Sequence, residues 1–364
     1  MTHRSTMGSP YMQFAKLNST ARYNLAASGV ASYPLSQLPF RLDQMEINGP
    51  TIYGYAPLQE RIAKKNQVSP DCVVAAAGAS MANHLAMAAT FDPGDHILIE
   101  DPTYELLSST ARYLGAAIRK FPRRLDQGFR LDPEIVAKHI TPRTKLIILT
   151  NLHNPSSAFT DETTLATVGE VARSVGARVL VDEVYVETLF DRPVRSAFHL
   201  GDNFVVTNSL TKAYGLSGLR CGWVLAQPDL ARRMWSINDL YGATPVHPAE
   251  LLSVIAFDQL DQIAARAGAL LEANRRNLNN LLDFCPGIEC FRPEFGTVVF
   301  PRLRNGQVDE FFERLKRNYD TSFVPGRFFD MPEHFRIGIG GDEEMTAEGL
   351  RRLRQGLEKQ SVGS

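Results

Sequence analysis

The sequence predicts an α/β protein, with a large domain over residues 45–260 and a small α+β domain made from 1–44 together with 261–364. From about Val68 to Ala226, short apolar runs alternate with longer helical stretches, the spacing of a mostly parallel sheet covered by helices on both faces. From Asp283 onward the pattern changes to short strands and two helices. The chain has 364 residues, enough for two hydrophobic cores.

The strands of the large domain are expected at Cys72–Ala77, His96–Glu100, Ala117–Phe121, Lys145–Leu149, Arg178–Val181, Phe204–Thr207 and Trp223–Ala226. Each is apolar enough to lie buried in a sheet. Helices are expected between them at Ser80–Thr90, Tyr104–Leu114, Pro133–Ile140 and Thr160–Val175, and Pro228–Asn238 follows the last strand. The amphipathic run from His247 to Leu282, rich in Ala, Leu, Arg and Asn, leads out of this domain as helix. The small domain is expected to hold strands at Ile288–Phe291, Thr297–Phe300 and Phe335–Ile339, with helices at Val308–Asn318 and Met345–Leu357. The first forty-odd residues, including Tyr23-Asn-Leu-Ala, return to pack on it, and Gln360–Ser364 fray.

Composition excludes several function classes. Lys plus Arg number 39 against 40 Asp plus Glu, a net charge of −1 with no footprint for nucleic acid or an anionic membrane. Cys72, Cys221, Cys285 and Cys290 are scattered, with no C-x-x-C and no His at metal spacing, so no metal site is expected and a cytoplasmic location is. Met1–Thr20 is polar, with no apolar core of a leader, and no stretch approaches eighteen apolar residues. His84, His153 and His247 have no partners at metal or triad spacing and read as structural. Gly338-Ile-Gly340-Gly341 lacks the strand-to-helix turn of a dinucleotide fingerprint.

The most informative stretch is Ser209-Leu-Thr-Lys212-Ala-Tyr-Gly-Leu-Ser-Gly-Leu-Arg220-Cys-Gly-Trp223. A lysine that must form an imine needs small neighbours that admit its partner. Arg220 offers a two-pronged, permanently charged grip for a phosphate, to which Ser209 adds a hydroxyl. Val179-Leu-Val-Asp182-Glu-Val-Tyr185 puts a carboxylate just past a buried strand, where it either faces a cationic ring nitrogen or caps the next helix. Ala77-Gly78-Ala79-Ser80-Met81 opens a helix with small residues, leaving backbone N–H groups and the helix dipole for an anion. In His334-Phe335-Arg336-Ile337-Gly338 an arginine sits among apolar strand residues, costly to bury unless it meets an anion.

Taken in order, these segments resemble the class I/II aminotransferases, the fold-type I enzymes that use pyridoxal 5′-phosphate, from Asn24 to Leu353. The resemblance implies the aspartate-aminotransferase-like fold of pyridoxal-phosphate-dependent transferases: a seven-stranded, mostly parallel sheet in the large domain, the small α+β domain, and a homodimer. It implies that Lys212 carries the cofactor as an imine and that Asp182 faces the pyridine nitrogen. Tyr185 and Asn154 donate to the phenolic oxygen, and Tyr104 of Asp101-Pro102-Thr103-Tyr104 stacks on the ring. Ala79, Ser80, Ser209 and Arg220 hold the phosphate. Arg336, with Asn154, grips the substrate carboxylate. Glu183 fits the pattern with no chemical role. Leu149-Thr-Asn151-Leu-His153-Asn154-Pro155-Ser156-Ser157 departs from the family, which has glycine where Ser157 stands. The family's tyrosine that reaches the partner subunit's phosphate aligns with Gly49 or Pro50, and Tyr53 is its substitute only after a loop shift.

On this resemblance the expected activity is transamination between an α-amino acid and a 2-oxo acid, with Lys212 as catalytic base, in amino acid metabolism and biosynthesis. The alternative is a lyase or decarboxylase, similar to C–S lyases or aminocyclopropane-carboxylate synthases. A cofactor-sensing DNA-binding regulator is disfavoured, since only about forty-five residues precede the cofactor domain and none forms a helix-turn-helix pattern. The glycine-rich Gly215–Gly222 stretch looks most like the histidinol-phosphate and type-Iα aminotransferases.

Overall fold

The computed structural model describes residues 8–18, 20–192 and 194–362, with side chains up to Lys359 in the last helix. The expectation of no leader in Met1–Thr20 falls partly on residues 1–7 and 19, outside those described. In the segment from Gln360, expected to fray, the helix continues to Val362 and the last two residues lie outside the description.

The chain opens with α1 (Pro10–Leu17) and β1 (Tyr23–Asn24), then α2 (Ala56–Asn66). The sheet region runs β2 (Val73–Ala77), α3 (Gly78–Thr90), β3 (His96–Asp101), α4 (Glu105–Tyr113), β4 (Ala117–Pro122) and α5 (Pro133–His139). It continues with β5 (Thr144–Thr150), α6 (Glu162–Arg173), β6 (Arg178–Asp182), β7 (Phe204–Ser209), β8 (Cys221–Leu225) and α7 (Pro228–Asn238). Next come α8 (His247–Asp258), α9 (Leu260–Asp283), β9 (Ile288–Glu289), β10 (Val298–Val299), β11 (Arg302–Leu303) and α10 (Val308–Tyr319). The last elements are β12 (Thr321–Ser322), β13 (Val324–Pro325), β14 (Phe335–Gly338) and α11 (Glu343–Val362).

The central sheet has seven strands in the order β2-β8-β7-β6-β5-β3-β4. All pair in parallel except β8, which is antiparallel to both β2 and β7. The reason is local. A parallel return needs a crossover, usually a helix, and the chain between Ser209 and Cys221 holds only one short 3-10 turn, so β8 comes straight back. Alternate strand residues feed two cores, as the pleat requires. Leu98, Ile147, Val179 and Val206 pack under α2, α5, α6 and α8, while Ile97, Ile148, Leu180 and Val205 pack under α3, α4 and α7.

A third core joins Leu25, Leu278, Phe311, Phe323, Phe335, Ile337 and Leu353. There β14 is flanked by β10 and β13, both antiparallel to it, and β1 pairs in parallel with β12, so Tyr23-Asn24 does return to this unit. The strand expected at Thr297–Phe300 is reduced to Val298–Val299, because only those two residues find a partner in Ile337 and Gly338. The helix expected from Thr160 begins at Glu162, since Asp161 caps it with a bond from the Thr164 N–H at 2.8 Å.

Candidate active site

The carboxyl ends of β2, β3, β5, β6 and β7 lie on one edge of the sheet, the edge where open α/β sheets bind ligands. A cavity of about 430 Å³ opens there. Ala79, Ser80, Tyr104, Asn154, Asp182, Tyr185, Ser209, Lys212 and Arg220 all line it, although they are spread from the start of α3 to the start of β8. Arg336, the remaining expected residue, stands directly behind the wall, bonded to Asn154.

Lys212 sits in the loop between β7 and β8, and its Nζ donates to Ser28 Oγ at 3.1 Å. Burial, helped by Arg336 and then Arg220, brings its ammonium down to about 8 against a smaller opposing pull from Asp182. The loop is clamped on both flanks by Glu187. Its carboxylate accepts from Asn208 Nδ2 at 3.1 Å before the lysine and from the Tyr214 hydroxyl at 2.6 Å after it. Lys65 balances that carboxylate at 2.7 Å.

Asp182 ends β6 and is enclosed. Burial pushes its carboxyl up to about 6, opposed by a bond from Asn83 Nδ2 at 2.8 Å and one from the Val184 N–H at 3.2 Å. Asn83 is itself held by the Thr207 hydroxyl at 2.7 Å. The Val184 contact is a turn bond, so Asp182 faces the cavity and does not cap a helix. Tyr185, raised to about 12 by burial, shares a hydrogen bond with Ser28. Ser28 thus touches both Lys212 and Tyr185.

At the other end of the cavity, α3 starts with no side-chain cap, which leaves the N–H groups after Gly78 free of a capping side chain beside Ala79 and Ser80. Gly78 has φ +77, and a Cβ there would fall 2.3 Å from Arg220 Nη2. Arg220, itself left-handed at φ +51, donates to Ala77 O at 3.1 Å and accepts from the Gly78 N–H at 2.7 Å. Backbone amides, a guanidinium and Ser209 therefore converge on a cradle that only glycine permits. An anion at this end, a cationic ring nitrogen at Asp182 and a carbonyl carbon at Lys212 are the three demands of pyridoxal phosphate, and the residues present fit all three.

The departure at Ser157 keeps the glycine-like turn. Ser157 has φ +59, and its hydroxyl donates to Val298 O at 2.7 Å. Tyr53 turns to its own chain, donating to Asp239 Oδ2 at 3.0 Å while 57% exposed. Glu183 accepts from the Ala197 N–H at 2.7 Å and the Ser196 hydroxyl at 2.8 Å, and burial raises it to about 7. His153 is buried between Pro102 O at 2.8 Å and Ser156 Oγ at 2.6 Å, well below its ordinary pKa from burial, a structural part of the Asn154 loop. Among the described residues no group of three or more His, Cys, Asp or Glu could hold a metal.

Sequence reasoning missed Asn83, Ser28 and Tyr11. Asn83 carried a signal: it is a polar residue on the inward stripe of a helix otherwise made of Ala82, Leu85 and Ala86. Ser28 and Tyr11 carried none, since they come from a segment whose only legible property was packing.

Comparison with known proteins agrees with this geometry. The model of the family described as aminotransferase class I and II matches residues 37–353. Capreomycidine synthase of Streptomyces vinaceus is 28% identical over 351 residues, covering 93% of this chain and 90% of that protein. Arginine–pyruvate transaminase AruH of Pseudomonas aeruginosa is 29% identical over 320 residues, covering 83% and 80%. Among solved structures, a PLP-dependent aminotransferase from Streptococcus suis superposes with a TM-score of 0.92 at 26% identity, covering 98% of each chain. A PLP-dependent cyclase, OrfR, shares the fold, with a TM-score of 0.89 at 22% identity over 99% of each.

Proposed function

We propose a function from one premise: this chain belongs to the class I and II aminotransferase family. The protein is a pyridoxal-phosphate-dependent aminotransferase that exchanges an amino group between an amino acid and a 2-oxo acid. The observation that supports the assignment of its site is the convergence of Lys212, Asp182 and Arg220 on a single cavity.

Bound there, the cofactor supplies an electrophilic carbonyl carbon and a ring that draws electrons from the substrate Cα. Lys212 holds it through Nζ. With the cofactor bound, Lys212 Nζ would move a proton from the substrate Cα to the cofactor's carbonyl-derived carbon, a task suited to an amine whose pKa burial has lowered to about 8. Asp182 keeps a proton on the ring nitrogen, and Asn83 holds the carboxylate in place. Tyr185 and Asn154 would serve the phenolic oxygen, and Tyr104 would stack on the ring. Ala79, Ser80, Ser209 and Arg220 anchor the phosphate. Arg336 and Asn154 receive the substrate carboxylate.

The same proposal takes residues 45–260 as the cofactor domain and 1–44 with 261–364 as the small domain. It takes the enzyme as a homodimer, supported by exposed Ile47, Ile52 and Val246, which line one surface cleft between two segments, with exposed Tyr241 beside Val246. A cytoplasmic setting is supported by four free cysteines, and a biosynthetic role in amino acid metabolism by the relatives' names. Among the described residues no helix is long and apolar enough to cross a membrane.

A second reading, a synthase or lyase on the same cofactor, has one observation in its favour: the likeness to capreomycidine synthase along 93% of the chain. One experiment separates them. Single amino acids, arginine first, are added to the holoenzyme without any oxo acid while its absorbance is followed. Conversion of the cofactor to its amine form, with one equivalent of 2-oxo acid released, supports transamination. Turnover that returns the original spectrum with a cyclised or fragmented product overturns it in favour of the second reading.

A further inference from the structure

Arg336 is wholly enclosed and forms no part of the cavity wall, whereas Tyr11 and Asn154 do. The guanidinium spends one Nη on each of them, reaching Asn154 Oδ1 at 2.9 Å and Tyr11 Oη at 2.7 Å, and its Nε has no acceptor. A buried cation satisfied only by neutral groups is short of an anion. A phenol oxygen that accepts from a guanidinium still has its own O–H to donate.

Tyr11 is also held rigidly. It lies in α1, whose first turn is capped by Ser9, with the Met12 N–H donating to Ser9 Oγ at 3.1 Å. The same Ser9 hydroxyl donates to the Glu105 carboxylate and ties α1 to α4. The Tyr11 ring meets Tyr104 edge-on at 5.5 Å and packs against Phe328 and Phe329, each at 6.1 Å. Such fixing is what a binding hydroxyl requires if it is to meet its ligand without loss of entropy.

We propose that Tyr11 is a substrate-binding residue: its hydroxyl, backed by Arg336, donates to the substrate α-carboxylate and completes, with Arg336 and Asn154, a seat for that group. The inference rests on the reading of this cavity as an amino acid site. It adds to that reading a ligand from the N-terminal helix.

The test compares Tyr11→Phe and Arg336→Lys with the parent holoenzyme. Two quantities are measured: the calorimetric affinity for propionate, a carboxylate that cannot react, and the ratio of kcat/KM for an α-amino acid to that for the matching amine without a carboxylate. Loss of one hydrogen bond to a charged group predicts that Tyr11→Phe weakens propionate binding about tenfold and lowers the ratio by a similar factor. A normal affinity and ratio in Tyr11→Phe, with both reduced in Arg336→Lys, overturns the role of Tyr11 and leaves the site reading standing. Tighter propionate binding in Tyr11→Phe overturns it too, since the phenol would then be competing for Arg336. If neither variant changes either quantity, the carboxylate seat itself is wrong.

Discussion

Arg336 Nη1 donates to Asn154 Oδ1 at 2.9 Å across 182 residues of sequence. The bond ends a buried chain of polar contacts. The Asn154 N–H donates to Thr150 Oγ1 at 2.9 Å, the Thr150 N–H to Glu100 at 2.7 Å, and Glu100 pairs with Arg123 at 2.7 Å. Arg336 is therefore positioned from the far side of β3 and β5 as well as by its own strand. The chain holds Arg336 in place but leaves its Nε without an acceptor, so its burial still calls for an anion.

Arg336→Ala removes the charged centre of the carboxylate seat. The KM for α-amino acids is expected to rise about a hundredfold, the worth of a buried charge that backs the carboxylate contacts of Tyr11 and Asn154. Steady-state kinetics checks it, and an unchanged KM would remove Arg336 from the site.

Lys212 is lowered to about 8 chiefly by burial, so its neutral form grows as pH rises through that value. Cofactor uptake by the apoprotein is expected to accelerate with pH and level off above about 8. Stopped-flow absorbance across pH 6–9 (roughly the range that brackets this titration) measures it. In Lys212→Ala, borohydride should fix no cofactor to the chain, and mass spectrometry showing covalent attachment would place the imine elsewhere.

Asn83→Ala deprives Asp182 of its bond at 2.8 Å, leaving burial less opposed. The carboxyl should titrate above about 6, and activity should be lost at a higher pH as the medium is made acid. The acidic limb of the kcat profile reports this, and a limb that does not move would separate Asp182 from the step.

The sheet was legible because each strand is a short apolar run and each helix an amphipathic one, and β5 and β6 differ from expectation only at their ends. The one antiparallel strand, β8, was not legible, since nothing in a run of apolar residues records its direction. The site motifs were legible where chemistry restricts residue type, as around Lys212 and Asp182. The α1 helix was not, being eight residues long with one buried side chain, Tyr11, so its place depends on partners distant in sequence. Ser28 escaped for the same reason: its two bonds, to Lys212 and Tyr185, are made across the fold.

Glu183 gives the stability a pH dependence with a definite sign. Its carboxyl rises from 4.5 to about 7 through burial, reinforced by Glu187 and Asp182. Its contribution is complete below about 4.5 and is lost as pH increases through about 7. Gln at this position keeps an acceptor for Ala197 and a partner for Ser196. Glu183→Gln should stabilise the apoprotein at pH 8 relative to pH 5 by up to about 3 kcal/mol. Urea unfolding at the two pH values checks it, and equal effects at both would mean that Glu183 stays ionised.

Ser157 occupies a left-handed position that costs an L-residue about 1 kcal/mol, offset by a hydroxyl bond to Val298 O at 2.7 Å worth about the same. Two substitutions separate the terms. Ser157→Ala keeps the backbone cost and loses the bond, leaving Val298 O unpaired on that side, so it should destabilise by about 1–2 kcal/mol. Ser157→Gly loses the bond and relieves the backbone, and should fall within about 1 kcal/mol of the parent. Chemical unfolding of both measures the difference. If Ala proved as stable as Gly, the left-handed backbone at Ser157 would carry no cost, and if Ala proved as stable as the parent, the hydroxyl bond to β10 would contribute nothing.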